Sequence, residues 1–382
     1  MRIIIFISLF LSLFGLSGYY VYHRIVQAFG GHIVSSKLFL ILYIFVILAF
    51  LMGKFVEQAS IGTLSNSLIK IGSVGLGFFI YALLIIIFFD FIRLLNGIIP
   101  FFPDIITAHY QKTKLIIGLA SLVFVSTVFI YGYTHAKNIK VKTLDLKIHK
   151  SQKGFKELNV VAISDIHLGT MVNKNKTKAL INKIKKLKPD LILIGGDIID
   201  DNIKVVNHFE LLSYFKELNP KYGIYSCLGN HEYISKAHLE LDSFEKNGIH
   251  MLKDSVALIE DSFYIIGRDD IEGKSYNGKK RSSLQELVKD IDFELPVFLL
   301  DHQPFDLSET AKYAVDFQFS GHTHNGQFWP FNYITGLIFE EDWGYLKKNN
   351  THFYISSGFG TAVVPIKIGN DSEIVHIKIT NE

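Results

Sequence analysis

Five apolar runs in this chain end in clusters of Asp, His and Asn. Leu158 to Ser164 leads into Asp165-Ile166-His167, and Leu191 to Ile194 into Gly195-Gly196-Asp197-Ile198-Ile199-Asp200. Tyr222 to Leu228 leads into Gly229-Asn230-His231-Glu232. Pro296 to Leu300 leads into Asp301-His302-Gln303-Pro304, and Phe317 to Phe319 into Ser320-Gly321-His322-Thr323-His324. Singly, each has an ordinary explanation: a turn, a hydrogen-bonded histidine, a tight loop. Jointly they do not, because five separate strand ends would all have to supply ligand chemistry by accident.

The chemistry open to such residues is metal binding. Side chains two apart in an extended segment point the same way, so Asp165 with His167, and His322 with His324, can each converge on one ion. The glycines before Asp197 allow close backbone approach, and its carboxylate can bridge two cations. Oxygen and imidazole donors without sulfur suit Mn²⁺, Fe or Zn²⁺ in a two-metal site. Cys227 is the only cysteine, which excludes an intrachain disulfide, a thiolate cage and a CxxC redox pair.

To present these clusters, the chain from residue 158 onward alternates β-branched runs with helical stretches such as Thr177 to Leu187. That is the pattern of an α/β domain with functional loops at its strand ends. Lys183, Lys185, Lys186 and Lys188 read as a solvated helix face, and a net charge of +3 leaves no nucleic-acid footprint.

The N-terminal third has a different composition. With 382 residues and 49% hydrophobic content the chain is too apolar for one soluble domain, and the excess lies in Met1 to Thr134. A transmembrane region is expected over 1–135, with four helices at 3–21, 38–53, 71–89 and 115–134. A linker over 136–154 and a catalytic domain over 155–382 follow. A cleaved signal peptide at the start is the other reading of Arg2 and its apolar stretch, but no A-x-A-like site follows it. Between the last two spans, Phe91 to Thr113 with Pro100 and Pro103 reads as a re-entrant or surface segment. Four spans place the N-terminus and the catalytic domain on one side. The Lys and Arg balance between the two sides is too thin to decide which, and Lys147, Lys150 and Lys153 just after the last span tilt that side toward the cytoplasm.

The ordered series D-x-H, GD-x-x-D, GNH[ED], H and GH-x-H resembles the calcineurin-like metallophosphoesterase superfamily. SDIHLG, GGDIID, GHTHNGQ and Ile355-Ser356-Ser357-Gly358-Phe359-Gly360-Thr361 are most similar to its membrane-associated phosphodiesterase group, of the YkuE and YaeI kind. The resemblance covers about residues 155 to 380 and implies a four-layer αββα sandwich with two divalent metal ions at the strand ends. It implies that Asp165, His167 and His324 hold one ion and Asn230, His302 and His322 the other, with Asp197 bridging. Two cations about 3.5–4 Å apart would then lower the pKa of a shared water, and the hydroxide would attack phosphorus in line. His231 would protonate the leaving group, and Asp200 and Glu232 would orient histidines from behind the ligands.

Only Arg268 and Arg281 follow residue 135, and neither lies in a motif. A dianionic monoester usually calls for a guanidinium fork, so a phosphodiester or pyrophosphate is favoured, although Lys367 offers a point charge. Membrane anchoring makes a lipid-linked substrate plausible, and the resemblance implies UDP-diacylglucosamine of lipid A assembly as an example. Trp329, Trp343, His352 and the aromatic run Gln327 to Tyr333 could wall a pocket or be ordinary core. A protein or small-molecule phosphomonoesterase, and an inactive membrane receptor or scaffold, remain the rival readings.

Overall fold

The computed structural model describes residues 2–31, 36–150 and 155–382, with the side chains of residues 2–7, 10 and 277 outside the described set. The chain divides into two compact units. One is Met1–Tyr131 with Val363–Pro365, the other Gly132–Ala362 with Ile366–Glu382.

The first unit is helical. Lys37–Ala59, Thr63–Ile98 and Tyr110–His135 are each long and apolar enough to cross a membrane. The expected first span falls in the helix Arg2–Phe29, and the side chains of residues 3–7 and 10 within it lie outside the described residues. The other helices run past the predicted limits. Thr63–Ile98 has 36 residues, about 54 Å at 1.5 Å per residue, where a hydrocarbon core needs about 30 Å. Helix therefore replaces the first part of the segment expected to lie in the interface. Its charged residues are accommodated by pairing: Asp90 accepts from Tyr20 and Arg24 and lies 3.0 Å from Arg93 Nη1. Beyond Pro103 the chain forms the short helix Asp104–Ala108.

Among its described residues the second unit holds twelve strands: β1 Ile139–Ile148, β2 Glu157–Ile163, β3 Leu191–Ile194, β4 Ile224–Cys227, β5 Ile249–Leu252, β6 Ser255–Ile259, β7 Phe263–Gly267, β8 Val297–Leu300, β9 Phe317–Ser320, β10 Gly344–Lys348, β11 Thr351–Ile355 and β12 Ser372–Asn381. They form two six-stranded sheets, ordered β1-β12-β2-β3-β4-β5 and β10-β11-β9-β8-β7-β6. Period-two alternation assigns each side chain its layer. In β2 and β3, Val160, Ala162, Leu191 and Leu193 face the other sheet and meet Phe263, Phe298 and Phe317. Val161, Ile163, Ile192 and Ile194 face outward onto Leu180, Ile181 and Ile184 of the helix Lys174–Leu187. In β8, Phe298 and Leu300 join the inter-sheet core, while Val297 and Leu299 pack under Leu284 and Val288. Helix, sheet, sheet and helix thus stack as the α/β sandwich expected.

The stretch expected as a linker is different. Ile139–Ile148 pairs in parallel with β12 over ten residues and buries Leu146 and Ile148 in the inter-sheet core. Its alternating Ile-Lys-Val-Lys pattern suits a strand, and β12 offers it an open edge. Residues 151–154 of the expected linker lie outside the described residues.

Candidate metal centre

All five clusters sit at strand ends, three on the first sheet (β2, β3, β4) and two on the second (β8, β9). The parallel strands of each sheet direct those ends the same way, so the loops converge.

Asp165, His167 and His324 form one group of donors whose ligating atoms lie within 4.8 Å of one another, and Asp165, Asp197 and His302 form a second. His167 Nε2 and His324 Nε2 stand 3.0 Å apart, and His324 Nε2 is 3.4 Å from Asp165 Oδ1. Asn230 Oδ1 lies 3.2 Å from His302 Nε2 and 2.9 Å from His322 Nδ1. Asp197 Oδ2 faces both sets, 3.9 Å from His167 Nε2 and 3.2 Å from His302 Nε2. Donors at metal–nitrogen distances of about 2.0–2.1 Å stand about 3.0–3.4 Å apart around one ion, so this spacing fits a cation in each set. A further group joins His167, Asp200 and His231.

The ligand positions are held in strained backbone. Asp165, His167, Asp197, His322 and His324 all have positive φ, between 50° and 71°, a region that costs a non-glycine residue about 1–2 kcal/mol. Strain of this kind gathers at functional sites. Here it also revises one expectation. The H-x-H pair is not extended, and its two rings part company: His324 joins Asp165 and His167, while His322 joins Asn230.

Three supports fix the loops. His302 Nδ1 is 2.7 Å from the Gly195 carbonyl oxygen, which sets that ring's hydrogen. The buried Glu232 carboxylate accepts from the backbone N–H of Gly229, Asp197 and Ile199 at 2.7, 2.9 and 3.1 Å. Glu232 was expected to orient a histidine. It is enclosed by backbone amides instead and ties the β3 and β4 loops together. Asp200 does address histidines: its carbonyl accepts from His231 Nδ1 at 2.7 Å, and its carboxylate is 3.5 Å from His167 Nδ1.

The segment Ser356–Gly360 closes the floor. Gly358 has φ +78°, and a Cβ there would lie 2.8 Å from Asp165 Cβ and 3.0 Å from His324 Nδ1. Lys367, fully buried, donates to the carbonyls of Ser357, Gly358 and Asp371 at 2.6, 2.6 and 2.9 Å. Burial lowers it to about 7, and its Nζ is committed to the loop backbone and not to substrate. The two arginines are likewise committed, Arg268 Nη1 and Arg281 Nη1 donating to Asp301 at 3.1 and 2.7 Å. Sequence spacing gave no sign of the arginine arrangement, since those partners are 20 to 33 positions apart.

Charge is divided unevenly among the imidazoles. Against the cost of burial, the Asp200 hydrogen bond and the Asp197 charge raise His167 to about 9. Against the same cost, Asp197 raises His302 well above the ordinary histidine value. Burial and then the neighbouring His302 lower His322 to about 3, and burial and then His167 lower His324 well below the ordinary histidine value. Against burial, His302 holds Asp197 well below the usual carboxylate range. Each donor set thus contains one imidazole favouring its proton and one without it.

The aromatic run is mixed. Phe328 and His352 are buried, whereas Trp329 is exposed. Trp343 Nε1 donates to Glu373 at 3.2 Å.

A sandwich of two sheets with a bimetal cluster at its strand ends defines a metal-dependent hydrolase fold, and comparison with known proteins gives the family. Residues 158–326 match the family model for calcineurin-like phosphoesterase. A metallophosphoesterase of Aquifex aeolicus is 31% identical over 66% of this chain and 97% of its own length. One of Campylobacter jejuni is 29% identical over 99% of both chains. A Danio rerio transmembrane protein with metallophosphoesterase domain is 28% identical over 67% of this chain and 61% of that protein. This chain belongs to the calcineurin-like metallophosphoesterases: it is a membrane-associated phosphoester hydrolase that uses two divalent metal ions.

Proposed function

We propose that this enzyme cleaves a phosphodiester or pyrophosphate bond, with its catalytic unit on the cytoplasmic side of a membrane region of about four helices over 1–135. Asp165, His167 and His324 hold one cation, Asn230, His302 and His322 the other, and Asp197 bridges. The observation that carries this reading is that one Asp197 oxygen reaches an imidazole of each donor set, at 3.9 and 3.2 Å. Two bound cations supply Lewis-acid activation of the phosphoryl group and the attacking water.

His231 serves as the acid for the leaving oxygen. Its Nδ1 faces the Asp200 carbonyl, which can only accept, so Nδ1 carries a hydrogen and Nε2 is the atom that exchanges a proton with substrate. The Asp201 carboxylate lies 3.6 Å from the same Nδ1. The diester preference rests on the arginines. With Arg268 and Arg281 both engaged by Asp301, neither offers a guanidinium fork to a dianion, and a singly charged diester is favoured. A lipid-linked pyrophosphate such as UDP-diacylglucosamine is the first natural substrate to try.

The test is hydrolysis of bis-p-nitrophenyl phosphate against p-nitrophenyl phosphate by the full chain with Mn²⁺, alongside His231→Ala and Asp197→Asn. The expected outcome is diester turnover that falls about 10²–10⁴-fold in His231→Ala with its metals retained, and is lost with the metals in Asp197→Asn. Turnover of the monoester alone would move the assignment to a phosphomonoesterase. Silence on both with two metals bound would point to an inactive scaffold.

A further inference from the structure

Beside the metal centre runs a helix with no core to bury in. Phe331–Ile338 has no buried side chain and no charged residue. Leu337 is 88% exposed, Tyr333 64%, and Trp329 just ahead of the helix 52%. Single exposed apolar residues are ordinary; a whole uncharged helix is not.

Its two ends are placed. At the C-terminal end the Phe339 ring lies 6.1 Å from His322 and 4.8 Å from Phe305. At the other, the Trp329 N–H donates to Ile368 O at 3.0 Å, and the Lys367 N–H donates to Gly132 O at 3.1 Å. Gly132 lies in the last turn of Tyr110–His135, one of the candidate membrane spans. Tyr131 and Tyr133 flank it, the residue type that settles where lipid meets water. The neighbours Lys367 and Ile368 thus link the Trp329 backbone to the last turn of that helix.

We propose that Trp329–Ile338 lies on the bilayer surface with its apolar side chains among the lipids. The phosphoester reaching the metals then belongs to an amphipathic molecule whose apolar part stays in the membrane, a conclusion that rests on the diesterase reading above. Lipid is the occupant because the segment is hydrogen-bonded, through Ile368 and Lys367, to the last turn of a candidate membrane span, and because an uncharged, exposed apolar helix there finds its cover in lipid. Glu340 and Glu341 follow it, so apolar contact holds it there and neutral lipid suffices.

The chain has two tryptophans, so Trp343→Phe leaves Trp329 as the sole reporter. In full-length protein reconstituted in nanodiscs, Trp329 emission should fall about twofold when brominated phosphatidylcholine replaces phosphatidylcholine. Unchanged emission, as when a second copy covers the helix, overturns the proposal. The double variant Leu337→Asp, Ile338→Asp should match wild type on bis-p-nitrophenyl phosphate in solution. On a long-chain phosphodiester held in the nanodisc it should lose about tenfold in kcat/KM. Equal turnover of that lipid by both proteins overturns the substrate half. Quenching without hydrolysis of either substrate supports the lipid contact and overturns the diesterase reading alone.

Discussion

His167 and His302 favour protons that a cation must displace, while His322 and His324 are already neutral. Metal uptake should therefore release protons, and apparent Mn²⁺ affinity should rise with pH until His167 is neutral near its value of about 9. The gain is about tenfold per pH unit for each proton displaced, and calorimetry in buffers of different ionisation enthalpy would count the protons. Affinity independent of pH between 6 and 8 would contradict this. In the chelated protein the sign for stability is opposite. A His167 value raised from 6.5 to about 9 stabilises the fold fully below 6.5, and that contribution is lost as pH climbs through 9.

Among the elements, the loop after β11 shows what holds the centre in place. Lys367→Met should leave the carbonyls of Ser357, Gly358 and Asp371 without a donor. The cost is about 3 kcal/mol or more, and thermal melting of the full chain should drop by roughly 6–12 °C. A change under 2 °C would show that the ammonium is not supporting the floor beneath Asp165 and His324. Much of this level was legible in the sequence. Leu191–Ile194 and Val297–Leu300 could be read as strands because short β-branched runs stop at glycine or at a cluster of polar residues, and the ligand clusters follow directly. Glu232 and the Arg268–Asp301–Arg281 group were not legible in role, because each acts through partners from another loop, and Lys367 was not because its partners are backbone carbonyls of its own loop, which no side-chain pattern marks. The run Gln327 to Tyr333 stayed open between pocket wall and core because composition shows that a segment is apolar, not whether anything covers it.

In the whole molecule, β1 makes the catalytic unit begin at the end of the last membrane helix. A chain starting at residue 155 would lack the partner of β12 and expose the core beneath Leu146 and Ile148. It should aggregate or melt well below one starting at residue 132, as soluble yield and calorimetry would show; equal behaviour would make β1 dispensable. Side-chain packing joins the two sheets, His302 Nδ1 meets the Gly195 carbonyl and Glu373 meets Ser356 and Ser357 across them, and the candidate ligand loops come from both. Metals held there would add a clasp across the sandwich, and the enzyme's durability would be set partly by ion supply. At 100 times the dissociation constant a cation adds about 2.7 kcal/mol to folding, so a chelator should loosen the pairing of the sheets as well as silence the chemistry. A cell short of the ion would then lose the protein as well as its activity.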